Sequence, residues 1–249
     1  MASRKQLIVN ADDFGQSSGV NGGVIEAHKS GIVTSASLMV RWPAAAEAAA
    51  DSRKTPKLSL GLHVDLGEWR YRDGAWIALY EVVPLDDANI VKEEVTRQLA
   101  TFHDLVGKRP THMDSHQHVH LREPARSVLR EVARFLDIPL RHFNPGVRYC
   151  GNFYGQTAEG LPLPDAISAH SLVKILRTLP DGVTELGCHP GEGNDLDTMY
   201  RGERAQELKI LCDPLLPMII RSMGLELCSF GNLPAGCWRR STVDIQEEY

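Results

Sequence analysis

The sequence lacks any apolar run that approaches the roughly 20 residues of a membrane-spanning helix, so we expect no membrane span. It also lacks an excess of basic charge. The net charge is −5, which gives no electrostatic footprint for a nucleic-acid partner. The first six residues lead directly into a strand-like segment at 7–9 without an apolar signal core, so a secretory signal is not expected. With 43% hydrophobic and 24% charged residues, the composition is typical of an ordinary soluble globular protein.

Cysteine is sparse and irregularly spaced. The five cysteines are odd in number, lie far apart and form no C-x-x-C pair, which argues against a disulfide framework. We expect reduced thiols and therefore a cytoplasmic location. The cysteines lie at positions 150, 188, 212, 228 and 237.

No internal repeat or low-complexity linker divides the 249 residues. Short apolar strands alternate with helices of about ten residues in about seven units, and this alternation predicts parallel strands joined by helices. We therefore predict an α/β fold, namely a distorted or incomplete (β/α) TIM-like barrel. One domain is expected to span 1–249, with the barrel at about 7–230 and a weakly structured tail at 235–249.

The spacing of apolar residues and the positions of Pro and Gly predict the individual elements. The predicted helices span 21–30, 43–50, 89–107, 124–136, 166–179, 201–210 and 215–223. The predicted strands span 7–10, 32–40, 58–66, 138–142, 183–188 and 225–229. Segments 67–86 and 149–164 are predicted to be irregular. The first contains aromatic residues that could stack on a sugar ring or close a lid, namely Trp69, Tyr71, Trp76 and Tyr80.

Histidine is concentrated in one short stretch. Four of the ten histidines and one aspartate lie within residues 111–120, and such a cluster is typical of a divalent metal site. The alternation of His116, His118 and His120 predicts a strand that presents all three on one face. A histidine-rich surface loop is the alternative interpretation.

Polar side chains also follow other predicted strands. Asp12 and Asp13 end the first strand, where two adjacent acids are costly unless solvated, paired or metal-bound; a turn or helix cap is the alternative. His63 lies on the strand 58–66, and His189 directly follows the strand 183–188. In a barrel these strand ends meet on one face. An aspartate and two histidines can form a catalytic metal site, beside which a second carboxylate can accept a proton and a further histidine can donate one.

Five segments, taken in order, resemble a known family. They are VNADDFG at 9–15, GIVTSASLM at 31–39, GLH at 61–63, THMDSHQHVH at 111–120 and ELGCHPG at 185–191. Together they resemble the YdjC-like carbohydrate deacetylase family, whose members include chito-oligosaccharide deacetylases and hopanoid-biosynthesis-associated proteins. The resemblance implies a distorted barrel related to polysaccharide deacetylases. It also implies metal-dependent hydrolysis of an N-acetyl group on a sugar.

The resemblance also implies roles for single residues. Asp13, His63 and His116 would hold one divalent metal ion, Asp12 would be the general base and His189 the general acid. Zinc suits a ligand set of one aspartate and two histidines, whereas magnesium would keep more waters.

Several neighbouring residues keep open interpretations. His112 is an alternative ligand, because it lies four residues before His116, and His118 and His120 are further alternatives. Asp114 is interpreted as a group that orients a histidine. Arg201 and Arg204 are interpreted as surface charge, with contact to the substrate as the alternative for either residue.

Two other functions remain open. One is a two-metal phosphoesterase on a similar barrel, which would need a second ligand set. The other is a metal-storing or sugar-binding module, in which Asp12, Asp13 and His189 would be superfluous. The expected partner is an N-acetylated sugar, and the Met- and Leu-rich helix at 215–223 could support a homo-oligomer.

Overall fold

A parallel sheet with helices packed around it forms the centre of the computed structural model, which describes residues 5–192, 195–234 and 236–239. The strands are β1 (Lys5–Phe14), β2 (Ser35–Leu38), β3 (Ser59–Val64), β4 (Gly67–Arg72), β5 (Ala75–Glu81), β6 (Met113–Ser115), β7 (Val147–Cys150), β8 (Gly182–Cys188) and β9 (Leu225–Leu227). The helices are α1 (Ser18–Lys29), α2 (Ala45–Lys54), α3 (Ala88–Val106), α4 (Ala125–Leu136), α5 (Ala169–Thr178), α6 (Gly202–Leu211) and α7 (Leu216–Ser222).

Seven strands form the main sheet in the order β6-β3-β2-β1-β8-β7, with β9 paired to the start of β1. All of these pairs are parallel. Within the described residues no ladder joins β6 to β7, so the sheet curls without closing. The prediction of an incomplete (β/α) barrel is therefore confirmed.

The two faces of β1 show why this strand lies at the centre. Residues 7, 9 and 11 belong to the main apolar core beneath the helices, and the alternating residues point to the other face. There Ile8 joins a small apolar cluster at the bottom of the half-barrel. Asn10 and Asp12, both buried, follow Ile8 upward. The interior is thus apolar at one end and polar at the carboxyl end of the strand, where parallel sheets place their sites.

The helices were predicted to within a few residues, but three other predictions were wrong. Segment 67–86 is not irregular, since β4 and β5 form an antiparallel hairpin. Its turn is Asp73-Gly74, with φ values of 52° and 87°, and Asp-Gly favours such turns because both residues tolerate positive φ. Segment 138–142 is not a strand, because only Leu140 bridges to Met113. Segment 149–164 begins with the end of β7 rather than with irregular chain.

The predicted histidine strand was also wrong. β6 ends at Ser115, because only Met113, Asp114 and Ser115 pair with β3. A 3-10 segment over His116–Leu121 follows, interrupted by left-handed backbone at Gln117 and His118 (φ 47° and 53°). The three alternating histidines therefore do not share one face.

The remaining expectations concern covalent and surface features. None of the five cysteines, all within the described residues, forms a disulfide.

No described helix is long and apolar enough to cross a membrane. Cys237–Arg239 of the predicted tail form a short 3-10 helix, whereas residues 235 and 240–249 lie outside the described part. Met218 on α7 is 63% exposed, and the homo-oligomer stays a prediction.

Gly23→Ala is expected to lower the free energy of unfolding by about 1–3 kcal/mol, because helix α1 packs directly on the loop after β8. A Cβ at Gly23 would lie 2.4 Å from the Cα and 2.7 Å from the backbone nitrogen of Gly191. Neither backbone atom can move aside cheaply. Denaturant titration measures the loss.

Gly22→Ala on the same helix is the matched control for this prediction. Its Cβ would first meet the flexible Glu192 carboxylate, at 3.2 Å. Alanine is favoured over glycine inside a helix by about 0.5–1 kcal/mol, so this variant should be as stable as the native protein or more so. Equal stability of the two variants would contradict the packing argument.

Candidate active site

The five side chains singled out in the sequence line a single cavity of about 670 Å³. Asp12 and Asp13 come from the end of β1, His63 from β3, His116 from the residue after β6 and His189 from the residue after β8. The parallel strands thus bring together groups that lie up to 177 positions apart in the sequence, from 12 to 189. The prediction that these strand ends converge is confirmed.

A bulge in β1 lets two adjacent acids face the same cavity. In a regular strand Asp12 and Asp13 would point to opposite faces. The register between β1 and β2 shifts between Ala11 and Phe14, and Asp13 has a left-handed φ of 63°. Bulges re-aim side chains in this way beside functional sites.

Asp13 lies between two histidine rings. Its Oδ1 is 3.3 Å from Nε2 of His63 and 3.1 Å from Nδ1 of His116. One ligand atom from each of the three residues lies within 4.8 Å of the others. The second oxygen, Oδ2, accepts a hydrogen bond from Nη2 of Arg204 at 2.6 Å. Arg204 therefore holds one oxygen and leaves the other facing the rings.

The interpretation of Arg204 as surface charge was wrong. Its side chain is 3% exposed, because α6 turns it inward onto Asp13 and Gln16. Arg201, one turn earlier in the chain, is exposed as expected.

Two carboxylates stand behind the histidine rings. Asp114 Oδ1 lies 2.7 Å from Nδ1 of His63, which is the position of a group that orients a ligating histidine. Glu68 Oε2 lies 3.7 Å from Nε2 of His116, and this nitrogen is buried without a hydrogen-bond partner. Glu68, on the hairpin strand β4, was not predicted.

These pairs fix the charges of the group. Burial lowers the pKa of His63, but the Asp114 carboxylate and its hydrogen bond outweigh burial and raise the pKa to about 10. In the same way Asp13 raises the pKa of His116 to about 9 against burial. Burial opposes ionisation of Asp13, yet Arg204 and His116 hold its pKa well below the usual range. These raised pKa values favour the cationic form of both rings, and a divalent ion would replace their two additional protons at equal charge.

Asp12 is held by Arg141, a buried residue that was missed in the sequence. Two parallel hydrogen bonds of 2.6 and 2.7 Å join the guanidinium to the carboxylate. Arg141 also contacts Asp114 and Glu185, each at 2.7 Å. Burial raises the pKa of Asp12, but Arg141 more than offsets this, so the pKa lies below its usual value. Burial raises the pKa of Glu185 to about 7.

His189 faces Asp12 from the end of the neighbouring strand β8. Its Nε2 lies 3.9 Å from Oδ2 of Asp12. Its backbone N–H donates to the buried carboxylate of Glu207, which also accepts from the hydroxyl of Tyr200. Burial lowers the pKa of His189 to about 4, so the ring is neutral near pH 7 and must gain a proton before it can donate one.

The other histidines of the cluster lie outside the Asp13 group, although His118 also lines the cavity. His112 stacks on Phe230 with ring centroids 3.9 Å apart, and both of its ring nitrogens have hydrogen-bond partners, which argues against a ligand role. His118 and His120 lie beside His142 instead. Burial lowers the pKa of His118 and of His120 to about 3.

The hairpin forms one wall of the cavity with two aromatic side chains. Trp69 and Trp76 line the cavity. Tyr71 packs edge-on against Trp76, with centroids 5.6 Å apart, while the hydroxyl of Tyr80 donates to Asp65. The indole rings are therefore the aromatic groups of this segment that a ligand in the cavity would meet.

Comparison with known sequences decides the family. The sequence model of the family described as YdjC-like protein matches residues 6–222. The chain belongs to this family. The family predicted from the five segments is thereby confirmed.

Relatives of this YdjC-like protein cover nearly its whole length. A chitooligosaccharide deacetylase of Serratia marcescens is 33% identical over 92% of this chain and 99% of its own. A carbohydrate deacetylase of Geobacillus stearothermophilus is 31% identical over 91% of this chain and 97% of its own.

Solved structures confirm the fold of this YdjC-like protein. A protein of Enterococcus faecalis, for which cellobiose-phosphate cleavage has been proposed, superposes with a TM-score of 0.72 at 25% identity, over 92% of this chain and 98% of its own. A family 4 carbohydrate esterase of Streptomyces lividans, solved with acetate, gives a TM-score of 0.54 at 12% identity, over 92% and 93% of the two chains. The second likeness concerns the fold alone, which is a distorted (β/α) barrel.

Proposed function

We propose that this protein is a metal-dependent carbohydrate N-deacetylase, which hydrolyses an N-acetyl group on a sugar to acetate and a free amine. One observation carries the proposal. A potential ligand group, Asp13 with His63 and His116, lies in the same cavity as a carboxylate and a histidine placed for proton transfer, Asp12 and His189. The deacetylase names of relatives that align over almost the whole chain support the same reaction.

The residues present fit a divalent cation. Asp13 offers one oxygen to the rings while Arg204 holds the other. Nδ1 of His116 faces the same oxygen at 3.1 Å, while its other ring nitrogen faces Glu68 at 3.7 Å. One carboxylate and two imidazoles suit zinc, and magnesium is possible with more water ligands. A bound cation would polarise the acetyl carbonyl and lower the pKa of water from about 15.7 toward about 7.

Asp12 and His189 would move the proton. Arg141 keeps Asp12 ionised and oriented, so the carboxylate can accept a proton as water attacks the carbonyl carbon. His189 is neutral at rest and lies 3.9 Å from the same carboxylate, so it can take up that proton. It then donates the proton to the departing nitrogen as the C–N bond breaks. The products are acetate and the amine, and His189 returns to its neutral form.

A two-metal phosphoesterase is less well supported. A second potential ligand group next to the first consists of Asp12, His63 and Asp114. Both of its carboxylates are ion-paired with Arg141, which occupies the position that a second cation would need. The geometry therefore favours a single metal beside a separate acid–base pair.

Acetate release from a panel of N-acetylated glycans, with and without chelator, tests the proposal. We expect release from at least one glycan and loss of activity with chelator. Phosphorylated disaccharides belong in the panel, with phosphate release as a second readout. Phosphate release without acetate release would favour the phosphoesterase. If the fully metal-loaded protein released neither acetate nor phosphate from any member of the panel, the proposed substrate class would be wrong.

His63→Ala and His116→Ala are each expected to lose one equivalent of bound metal and to lower kcat/KM strongly, because each removes a neutral-imidazole ligand. Elemental analysis of the purified proteins measures the metal. His103→Ala, at an exposed histidine of α3, is the control and should retain the native metal content. Native metal content in both ligand variants would contradict the assignment of these ligands.

A further inference from the structure

Three histidines that the proposed reaction does not use meet beside the Asp13 group, and one of them, His118, also lines the cavity. They are His118 and His120, from the 3-10 segment after β6, and His142, which follows Arg141. One ring nitrogen from each lies within 4.8 Å of the others, and the ring centroids are 5.3–5.8 Å apart. We propose that these three histidines form a second metal site, for a transition-metal ion such as Zn²⁺, separate from the Asp13 group.

Two nitrogens of the cluster are buried without any hydrogen-bond partner, namely Nδ1 of His118 and Nε2 of His120. The other nitrogens of the same rings are engaged: Nε2 of His118 lies 3.4 Å from the Tyr149 hydroxyl and Nδ1 of His120 lies 2.6 Å from Oγ of Ser115. A buried polar atom without a partner is costly. A cation would satisfy both lone pairs at once.

Ser115 is placed as the orienting partner of such a ligand. Its hydroxyl accepts the backbone N–H of His120 at 3.0 Å and faces Nδ1 of the same ring. When Nδ1–H donates to this oxygen, the lone pair is left on Nε2. Ligating histidines generally donate their second ring nitrogen to such a group.

The backbone on both sides of the cluster is held in an uncommon conformation. His118 and His142 have φ values of 53° and 67°, a left-handed region that is costly for residues other than glycine. These conformations turn the two rings toward His120 rather than along their own segments. The observed 3-10 segment, and not a regular strand, brings the rings of His118 and His120 to His142.

The charge around the cluster permits a cation. Arg141 is the nearest positive group, adjacent in sequence to His142 and 4.6 Å above the Tyr149 ring. Its guanidinium is buried against three carboxylates, those of Asp12, Asp114 and Glu185. Three carboxylates thus counter the positive charge of Arg141.

The donor set selects the ion. Imidazole suits zinc, copper and nickel, whereas magnesium prefers oxygen ligands. Zn–N bonds of about 2.0–2.1 Å place tetrahedral nitrogens roughly 3.3–3.4 Å apart. The three nitrogens lie within 4.8 Å of one another, so only a small movement of the rings is needed. His142 is exposed and can rotate to make this movement. Three protein ligands leave a fourth position for water.

This site would be distinct from the first. The two groups share no residue, so they do not form a bridged two-metal centre. A cation here would instead fix the 116–121 segment, which also carries His116. The inference does not rest on the proposed function, since it concerns metal binding and not turnover.

Zn²⁺ titration by calorimetry, with metal counting after gel filtration, tests the site in the full-length protein. We expect His63→Ala to retain one Zn²⁺ equivalent. We expect the same equivalent to be lost, or bound about 100-fold or more weakly, in His142→Ala. His170→Ala, at an exposed histidine of α5, is the matched control and should bind as the native protein does. Zn²⁺, but not Mg²⁺, should raise the Tm of His63→Ala and should not raise that of the His63→Ala/His142→Ala double variant.

Two outcomes would overturn the second site. One is unchanged Zn²⁺ stoichiometry and Kd in His142→Ala. The other is the absence of any Zn²⁺ equivalent in His63→Ala, which would assign all bound metal to the Asp13 group. Because His142 is exposed, its removal should leave the fold intact, and far-UV circular dichroism of each variant checks this.

Discussion

Asp12→Asn is expected to lower kcat by about 10²–10⁴-fold while the metal content stays unchanged, as expected for loss of a general base. Asparagine keeps the shape of the side chain but cannot accept a proton from water. The ligands Asp13, His63 and His116 are untouched by the change. Acetate release and elemental analysis of the same preparation give the two measurements.

Asp73→Asn is the matched control for Asp12→Asn. Asp73 is exposed at the tip of the β4–β5 hairpin with a φ of 52°, a conformation that asparagine tolerates, so turnover should be native. Retained turnover in Asp12→Asn would rule out its role as base. If the protein were only a sugar-binding module, both variants would bind sugar equally and neither would release acetate.

Arg141→Met is expected to lower the free energy of unfolding by about 3–5 kcal/mol, because removing one partner leaves buried charges uncompensated. The guanidinium contacts Asp12, Asp114 and Glu185, and all four side chains are at most 4% exposed. Methionine fills much of the volume without restoring the charge. Urea unfolding of the metal-loaded protein measures the loss. Arg148→Met, at an exposed arginine of β7, should lie within about 0.5 kcal/mol of the native protein.

The stability difference between Arg141→Met and the native protein should grow with pH. In the native protein the pKa values of Asp12 and Asp114 lie below the usual value, so these groups add stability above about pH 4 and lose it as the pH falls. In the variant, burial without Arg141 raises both pKa values, so stability falls as the pH rises. The native contribution is already complete at pH 5, so the rising cost of ionising the two unpaired carboxylates in the variant makes the gap wider at pH 8 than at pH 5. A gap independent of pH would indicate that Arg141 acts by packing alone.

The sequence contained enough to predict the site's five central residues but not the cations that hold them. Asp12, Asp13 and His189 stand at strand ends, and their positions follow from the parallel topology. Arg141 and Arg204 carry no local signal. Their burial depends on contacts with Asp12 and Asp13, 129 and 191 positions away in the sequence, and periodicity contains no information about such pairs.

Two errors had causes that were partly visible in the sequence. The Asp73-Gly74 dipeptide lies between aromatic, apolar segments, which is a sequence signal of a hairpin. This signal alone predicts the β4–β5 hairpin. The histidine strand failed for a nonlocal reason. A three-residue ladder with β3 ends at Ser115, and beyond it the chain is held by Gln117, whose side chain donates to and accepts from the backbone of Trp69.

The open side of the half-barrel gives Arg141 a further significance. Among the described strands no backbone ladder spans from β6 to β7, yet this one side chain reaches Asp114 on β6, Asp12 on β1 and Glu185 on β8. The side chain of Arg141 thus lies at the gap between β6 and β7, which a closed barrel would fill with a further strand. Because the guanidinium also lies 4.6 Å from the ring of Tyr149 on β7, side-chain contacts of one residue link the two edge strands that no described backbone ladder joins.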